Sequence, residues 1–455
     1  MSDNKMIDMT EGKPLPIIIR FSLPLVLSAF FQQLYSFVDS IIVGRFIGTD
    51  ALAAVNLTGS INWVIMGITM GSALGFCIPF AQSVGAKDDE AISEYFWNGL
   101  YLAILLAVVA SLITVPLTPT ILGWINTPDT LSGMSSEYLR IILAGMTATT
   151  LYNYSAGILR ALGDSRTPFR FLLISSAVNI VLDAILIIVF DMGVAGAAIA
   201  TVFSQVLSFA MCMIYLFVRM HAIKTIDENG KGLCGIKGGR LKTLAFVGIP
   251  MGFELSVNGI GSVILQACVN TLGVVAVSAV AAAEKIRSMI TLPLENLGSA
   301  MSTYTAQNYG AKKTNRITAG IKSSLIILVS YCAFAWLLVL VLKRPLTYLM
   351  LGVWDGEVFD STVLYLGIIS CLFVFHGALQ IFRNIIQGMG HSTAAVLSGV
   401  MEIIGRVIAG GLAVRYAAFK IVCLANPLAW LLAGAYCIIM TAYYVKMIQK
   451  NGYQT

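Results

Sequence analysis

The chain has 455 residues, of which 58% are apolar and 11% charged, and its mean hydropathy is +0.84. Soluble domains carry about 25% charged residues, so 29 basic and 23 acidic side chains cannot clothe soluble cores of this size. This excludes a soluble enzyme, a nucleic-acid-binding protein and a secreted disulfide scaffold, and the net charge of +6 does not point to nucleic acid until its location is known.

Taken in chain order, the N-terminal stretch 1–14 is polar and lacks the compact apolar stretch and small-residue cleavage site of a signal peptide, so the first apolar segment is expected to remain as a membrane span. Uncharged runs follow at 21–38, 51–86, 95–128, 141–159, 192–218, 255–283, 323–342, 361–382 and 421–445. About 20 apolar residues cross a bilayer as a helix. The runs are too long for barrel strands and do not alternate as barrel strands do. Spans interrupted by one or two charges near 168–190, 242–270, 286–306 and 392–414 complete an expected set of twelve helices. The fold class is therefore all-α integral membrane.

With the N-terminus in the cytoplasm, inside segments hold nineteen Lys and Arg residues, Arg383 among them, and outside segments hold five. That bias predicts cytoplasmic N- and C-termini in the cell membrane. The long polar stretch at 219–240 reads as a cytoplasmic linker between an N-lobe at 15–218 and a C-lobe at 241–447, with tails at 1–14 and 448–455.

The two halves repeat. Ala81-Gln82-Ser83-Val84-Gly85-Ala86-Lys87 recurs as Ala306-Gln307-Asn308-Tyr309-Gly310-Ala311-Lys312, 225 residues later, and Gly48 and Gly273 share that offset. Pro24 and Pro250 are 226 apart, and the stretch 158–165 matches 385–392 at 227. Six helices per half place both repeats in the membrane with the same orientation, the pattern of a secondary transporter with a parallel pseudo-two-fold axis.

The eight cysteines show no CxxC spacing and read as small hydrophobes. His221, His376 and His391 form no metal-ligand cluster. The sequence has no phosphate-binding loop, no dinucleotide fingerprint and no HExxH, so neither enzyme activity nor a cofactor is expected, and an ion gradient is the default energy source.

Charges within spans carry the most information, because each costs at least ~2.5 kcal/mol at a helix centre. In the first half these are Asp39 and Asp183, with Asn179 one turn before Asp183. An apolar cavity favours the neutral form of a carboxyl group, and two facing carboxyls do not easily ionise together. Such a pair can carry a proton, or with Asn179 as an oxygen ligand it can hold Na+. The competing role is helix-packing glue. In the second half, Glu284 and Arg287 (i,i+3) and Glu402 and Arg406 (i,i+4) are spaced to neutralise each other, while Glu254 has no local partner and is the better candidate for a cationic substrate. Abundant Tyr, Phe, Trp and Met suit a cavity for flat organic cations, although many will face lipid.

The stretches Phe37-Val38-Asp39-Ser40-Ile41-Ile42-Val43-Gly44, Gln82-Ser83-Val84-Gly85-Ala86, Ile158-Leu159-Arg160-Ala161-Leu162-Gly163-Asp164, 193–201 and Gln307-Asn308-Tyr309-Gly310-Ala311-Lys312, with the six-plus-six duplication, carry a resemblance over essentially the whole chain. The chain resembles the multidrug and toxic compound extrusion (MATE) transporters. The resemblance implies two six-helix lobes and export of organic, mainly cationic, compounds in exchange for H+ or Na+. It implies a cation site at Asp39, Asn179, Asp183 and Thr201 with Tyr35 beside it, and a hinge at Pro24. Glu254, Glu284, Arg287 and Gln380 are the candidates for the substrate cavity. The NorM-like branch places a Glu further along helix seven and an Asp in helix ten three residues before a Gln. Here Glu254 comes early and Gly377 precedes Gln380, which is closer to the DinF-like branch.

Small organic substrates and membrane lipids are the expected partners, nucleic acid is not, and the chain is expected to act as a monomer. The runner-up function is a flippase for lipid-linked oligosaccharides from the same superfamily. That reading needs a basic cavity, and Lys285, Arg287 and Arg406 each have an acidic neighbour. A membrane enzyme or a channel fits the residues less well.

Overall fold

The computed structural model describes residues 6–219 and 234–451, and among them there are helices and no strands. The first half contains α1 (Pro14–Phe46), α2 (Thr49–Ala86), α3 (Asp89–Trp124), α4 (Asp129–Ala144), α5 (Met146–Ala161), α6 (Arg166–Ala184) continued by a π-helical turn (Ile185–Val189), and α7 (Gly193–Arg219). The second contains α8 (Gly238–Asn270), α9 (Val274–Gly310), α10 (Thr314–Leu351), α11 (Glu357–Ser370), α12 (Phe373–Gly388), α13 (Ser392–Tyr416), α14 (Phe419–Cys423) and α15 (Ala425–Asn451). Most of the expected linker, 220–233, lies outside the described residues, as do 1–5 and 452–455 of the tails.

Nine helical stretches among the described residues are long and apolar enough to cross a bilayer, and α11 with α12, bent by 51°, makes a tenth. The expected twelve would also need α4 with α5, and the 37-residue α9, which lie outside that apolar set. These last are more polar: α9 carries Glu284, Lys285, Arg287 and Glu295, and α4 carries Asp129, Glu137 and Arg140. A span that turns its charges into a bundle needs less apolar surface than one facing lipid on all sides.

The backbone repeats where the sequence repeats. Lys87 and Lys312, the last residues of the recurring heptapeptide, both have left-handed conformations, φ 58° and 57°. Gly163 and Gly390 follow α5 and α12 at φ 87° and 88°. The break after Ala144 is matched by the break after Ser370. Ser135 Oγ donates to the Ala54 carbonyl across 3.4 Å, and Thr362 Oγ1 donates to that of Ala279 across 3.4 Å, nearly one repeat later.

Two compact units result, Leu23–Ser256 with the residues up to Asp8, and Val257–Thr455 with Met9–Ser22. Their bounds differ from the sequence halves for local reasons. The N-terminal part of α8 stays with the first unit because Arg240 pairs with Glu94 of α3 at 2.9 Å and Ser256 Oγ bonds the Val64 carbonyl of α2 at 3.0 Å. A Cβ on Gly71 of α2 would lie 2.8 Å from the Gly252 Cα, so these helices touch backbone to backbone. Met9–Gly12 belongs to the second unit because Asn308, Lys313 and Arg316 donate to its carbonyls, including Arg316 to Gly12 at 2.7 Å. The first unit's core includes Met66, Leu122, Leu139, Leu143 and Met146, with a second cluster of Ile42, Val43, Ile187 and Val194 next to α6.

Candidate functional site

In the first unit, Asp39 comes from the last third of α1, and Asn179 and Asp183 come from the end of α6. Asp183 is fully buried and Asn179 nearly so. The carboxyl groups of Asp39 and Asp183 are near enough to interact electrostatically. No hydrogen bond reaches either oxygen of Asp183, Oδ1 of Asp39 or the amide of Asn179 among the described residues. Two ionised carboxylates are acceptors only, so a hydrogen bond between them would require a proton.

Tyr35, one turn before Asp39, is near both carboxyls and bonds Gln32. Tyr35, Asn179 and Thr201 of α7 line one pocket of about 240 Å³ together with Leu172, Ser175, Ser176, Ser204 and Gln205. Asp39 and Asp183 are not among the residues that line this pocket; Tyr35 and Asn179, each one turn from a carboxyl, connect it to them. The structure adds Tyr138 of α4, close to Asp39, Tyr35 and Asp183, and Gln205, whose Oε1 has no partner among the described residues. Neither residue has a sequence signal, because each joins the carboxyls only through the packing of a helix distant in sequence. The π turn begins two residues after Asp183, and such turns recur at functional sites because they displace the helix ladder locally. Pro24 lies inside a continuous α1, where its carbonyl accepts a bond from Ser28 Oγ at 2.7 Å.

The second unit holds a connected set of charges. Arg287 Nε and Nη2 both lie 2.6 Å from Glu284 Oε2. Glu284 Oε1 accepts from Tyr365 Oη at 2.5 Å and Asn426 Nδ2 at 3.1 Å. Asn426 Oδ1 accepts from Arg406 Nε at 3.2 Å, and Arg406 pairs with Glu402 at 3.2 Å. Both expected intrahelical pairs form. Glu402 also pairs with Arg383, one of the basic residues expected on the cytoplasmic side, which is buried in α12 and bonds Ser398 Oγ as well. The Arg287 guanidinium lies 5.7 Å from the ring of Trp430, and the His376 ring lies 4.7 Å from the same ring.

The four expected cavity residues do not form one cluster. Glu284 and Arg287 are paired. Gln380 lies on α12 one turn after His376 and makes no side-chain hydrogen bond to the pair. Glu254 is buried in the first unit and is engaged by a neighbour, which corrects the expectation that it stands alone. Among the described residues no three His, Cys, Asp or Glu side chains gather as a metal site.

A duplicated, all-helical, multi-pass bundle with buried charges in both units defines a membrane transporter. The MatE family profile matches residues 24–185 and 250–409, and the chain belongs to this family, whose fold has two lobes of six helices and whose members are transporters rather than enzymes. The chain is 30% identical over 322 residues to the probable multidrug resistance protein YoeA of Bacillus subtilis (strain 168), covering 69% of each chain. It is 27% identical over 386 residues to the probable multidrug resistance protein YpnP of the same strain, covering 85% of each. Its fold matches that of a MOP superfamily transporter from Pyrococcus furiosus with a TM-score of 0.88 at 22% identity, covering 99% of this chain and 100% of that one.

Proposed function

We propose that this transporter is a secondary antiporter that exports organic compounds in exchange for protons, and that Asp39 and Asp183 are its coupling pair. The two neighbouring carboxyls, with both oxygens of Asp183 and Oδ1 of Asp39 buried without a hydrogen bond among the described residues, carry this reading. A proton taken up by the pair would remove one charge where both together are costly, and a cationic substrate or water would displace it. Relatives described as probable multidrug resistance proteins and as the multidrug export protein MepA of Staphylococcus aureus support organic compounds as cargo.

In the proposed cycle the outward-open protein takes up a proton at the pair and releases substrate. It turns inward, loses the proton to the cytoplasm and takes new substrate. Pro24 leaves α1 one hydrogen bond short and is the hinge through which Asp39 responds. Asn179, Thr201 and Tyr35 hold the pair's surroundings polar, and Arg287 of the second unit faces substrate. A sodium reading has one observation in its favour: Asn179, one turn from Asp183, and Thr201 line one pocket and provide neutral oxygens of the kind hard cations prefer. The apolar setting of Gly377, against Leu328 and Leu294, supports the DinF-like branch over the NorM-like one. The pairing of Arg287 and Arg406 with Glu284 and Glu402 supports an exporter over a lipid-linked sugar flippase. In this reading the protein acts in the cell membrane as a monomer, with both termini cytoplasmic, as the bias of Lys and Arg suggests.

The test is ethidium export by everted vesicles energised with a proton gradient. Asp39→Asn and Asp183→Asn are each expected to lower export at least tenfold. Export against the gradient by either variant contradicts the assignment.

A further inference from the structure

We infer that Arg287 is the residue of the second unit that recognises an anionic group on the exported molecule. This rests on the exporter reading above.

A guanidinium has five N–H donors. In Arg287 two nitrogens, Nε and Nη2, are committed to Glu284 Oε2, and it makes no other hydrogen bond among the described residues. Its face is covered by Trp430. The group is held on one edge and one face while the Nη1 edge is free, and 17% of the side chain is accessible. Unused donors on a fixed guanidinium suit a carboxylate, sulfonate or phosphate oxygen, which they can bind in a defined direction.

Glu284 is a positioning residue here. Its two oxygens already accept from Arg287, Tyr365 and Asn426, so it has little left to offer a ligand cation. Asn426 is fixed in turn by Arg406, which Glu402 and the Asn258 carbonyl hold. The buried end of the network therefore anchors the open end.

A second charge completes the site. Glu295 lies two turns further along α9, about 12 Å by helix rise, with 44% of its side chain accessible. It is within electrostatic range of Arg287. Its one ion-pair contact among the described residues is with His376 Nε2 at 3.5 Å. His376 is buried, its ring nitrogens make no hydrogen bond, and its ring packs on Trp430. The arrangement is a cation at one end, a carboxylate at the other and an aromatic wall between them. It matches a flat molecule with an acidic group and an amine on opposite sides.

Rhodamine 110, which has a free carboxylate, and rhodamine 123, its methyl ester, differ by that group alone and serve as probes. Binding of each to the purified full-length protein is read by fluorescence anisotropy. The wild type is expected to bind rhodamine 110, and Arg287→Gln should lower the preference for rhodamine 110 over rhodamine 123 at least fivefold. Glu284→Gln combined with Arg287→Gln, which leaves no unpaired charge, should produce the same loss, and Arg287→Lys should restore part of it. Glu295→Gln should weaken both dyes alike, since both carry the amine end. The inference is overturned if the ratio is unchanged in the folded Arg287 variants, or if the wild type does not bind rhodamine 110. If ethidium export in exchange for protons persists in that case, the exporter reading stands without it. If the wild type exports neither ethidium nor the dyes, the exporter reading itself falls.

Discussion

Glu402 sits between the guanidinium groups of Arg383 and Arg406 with 5% of its side chain accessible, and both arginines are nearly as buried. Removing one member of a buried ion pair leaves its partner charged without compensation, which typically costs 3–5 kcal/mol. Glu402→Gln is therefore expected to destabilise the protein by roughly 3 kcal/mol, seen as a lower thermal transition in detergent. A transition at the wild-type temperature would mean that the arginines are compensated elsewhere. Residue spacing within a helix made part of this network legible, since Glu284 with Arg287 and Glu402 with Arg406 are one turn apart. The members from other helices, Arg383, Tyr365, Asn426 and Trp430, were not legible, because tertiary packing alone puts them next to the pairs. The same holds in the first unit. Asp39, Asn179 and Asp183 stand out as polar groups in apolar runs, whereas Tyr138 becomes a neighbour only when α4 packs beside them.

At the scale of elements, the duplication makes paired predictions. Lys87 and Lys312 hold left-handed conformations that favour glycine by about 1 kcal/mol. Lys87→Gly and Lys312→Gly should each raise the thermal transition, and by similar amounts. A fall in either would show that the lysine side chain makes a contact worth more than the strain. The α2–α8 contact predicts the opposite sign for a small side chain. A methyl group at Gly71 would meet the backbone of Gly252 and the Met251 carbonyl, each at 2.8 Å, so Gly71→Ala should cost 1–3 kcal/mol. Gly59, on the same helix with nothing within 4 Å of an added Cβ, should accept alanine with no loss. Equal effects of the two substitutions on thermal stability would contradict the close approach. The repeated motifs were readable because each ends a helix at an equivalent place, with its turn chemistry written locally. The broken spans at Gly145 and at Cys371–Leu372 were not read as breaks, because neither contains proline or a polar run.

For the whole molecule, scarcity of charge has two consequences. It puts the chain in the membrane, and it makes the few charges within spans expensive enough to need a reason. The second unit supplies one through mutual pairing, down to Arg287 with its free edge. In the first unit Arg240 pairs with Glu94, but among the described residues no hydrogen bond reaches either Asp183 oxygen or Oδ1 of Asp39. This asymmetry between duplicated halves is the basis for assigning coupling to the first and an anion contact to the second. The long apolar spans were evident from composition, while α9 and the pair α4 and α5 carry enough polar residues to fall below a purely apolar criterion.

The central claim is that substrate and proton compete through the Asp39–Asp183 pair. It is tested most directly by adding ethidium to the purified protein in weakly buffered solution, with and without sodium, and following released protons with a pH-sensitive dye. The account predicts a release that saturates with substrate, is unchanged by sodium and is absent in Asp39→Asn and Asp183→Asn. Binding with no proton release, or release that persists in both variants, would contradict it.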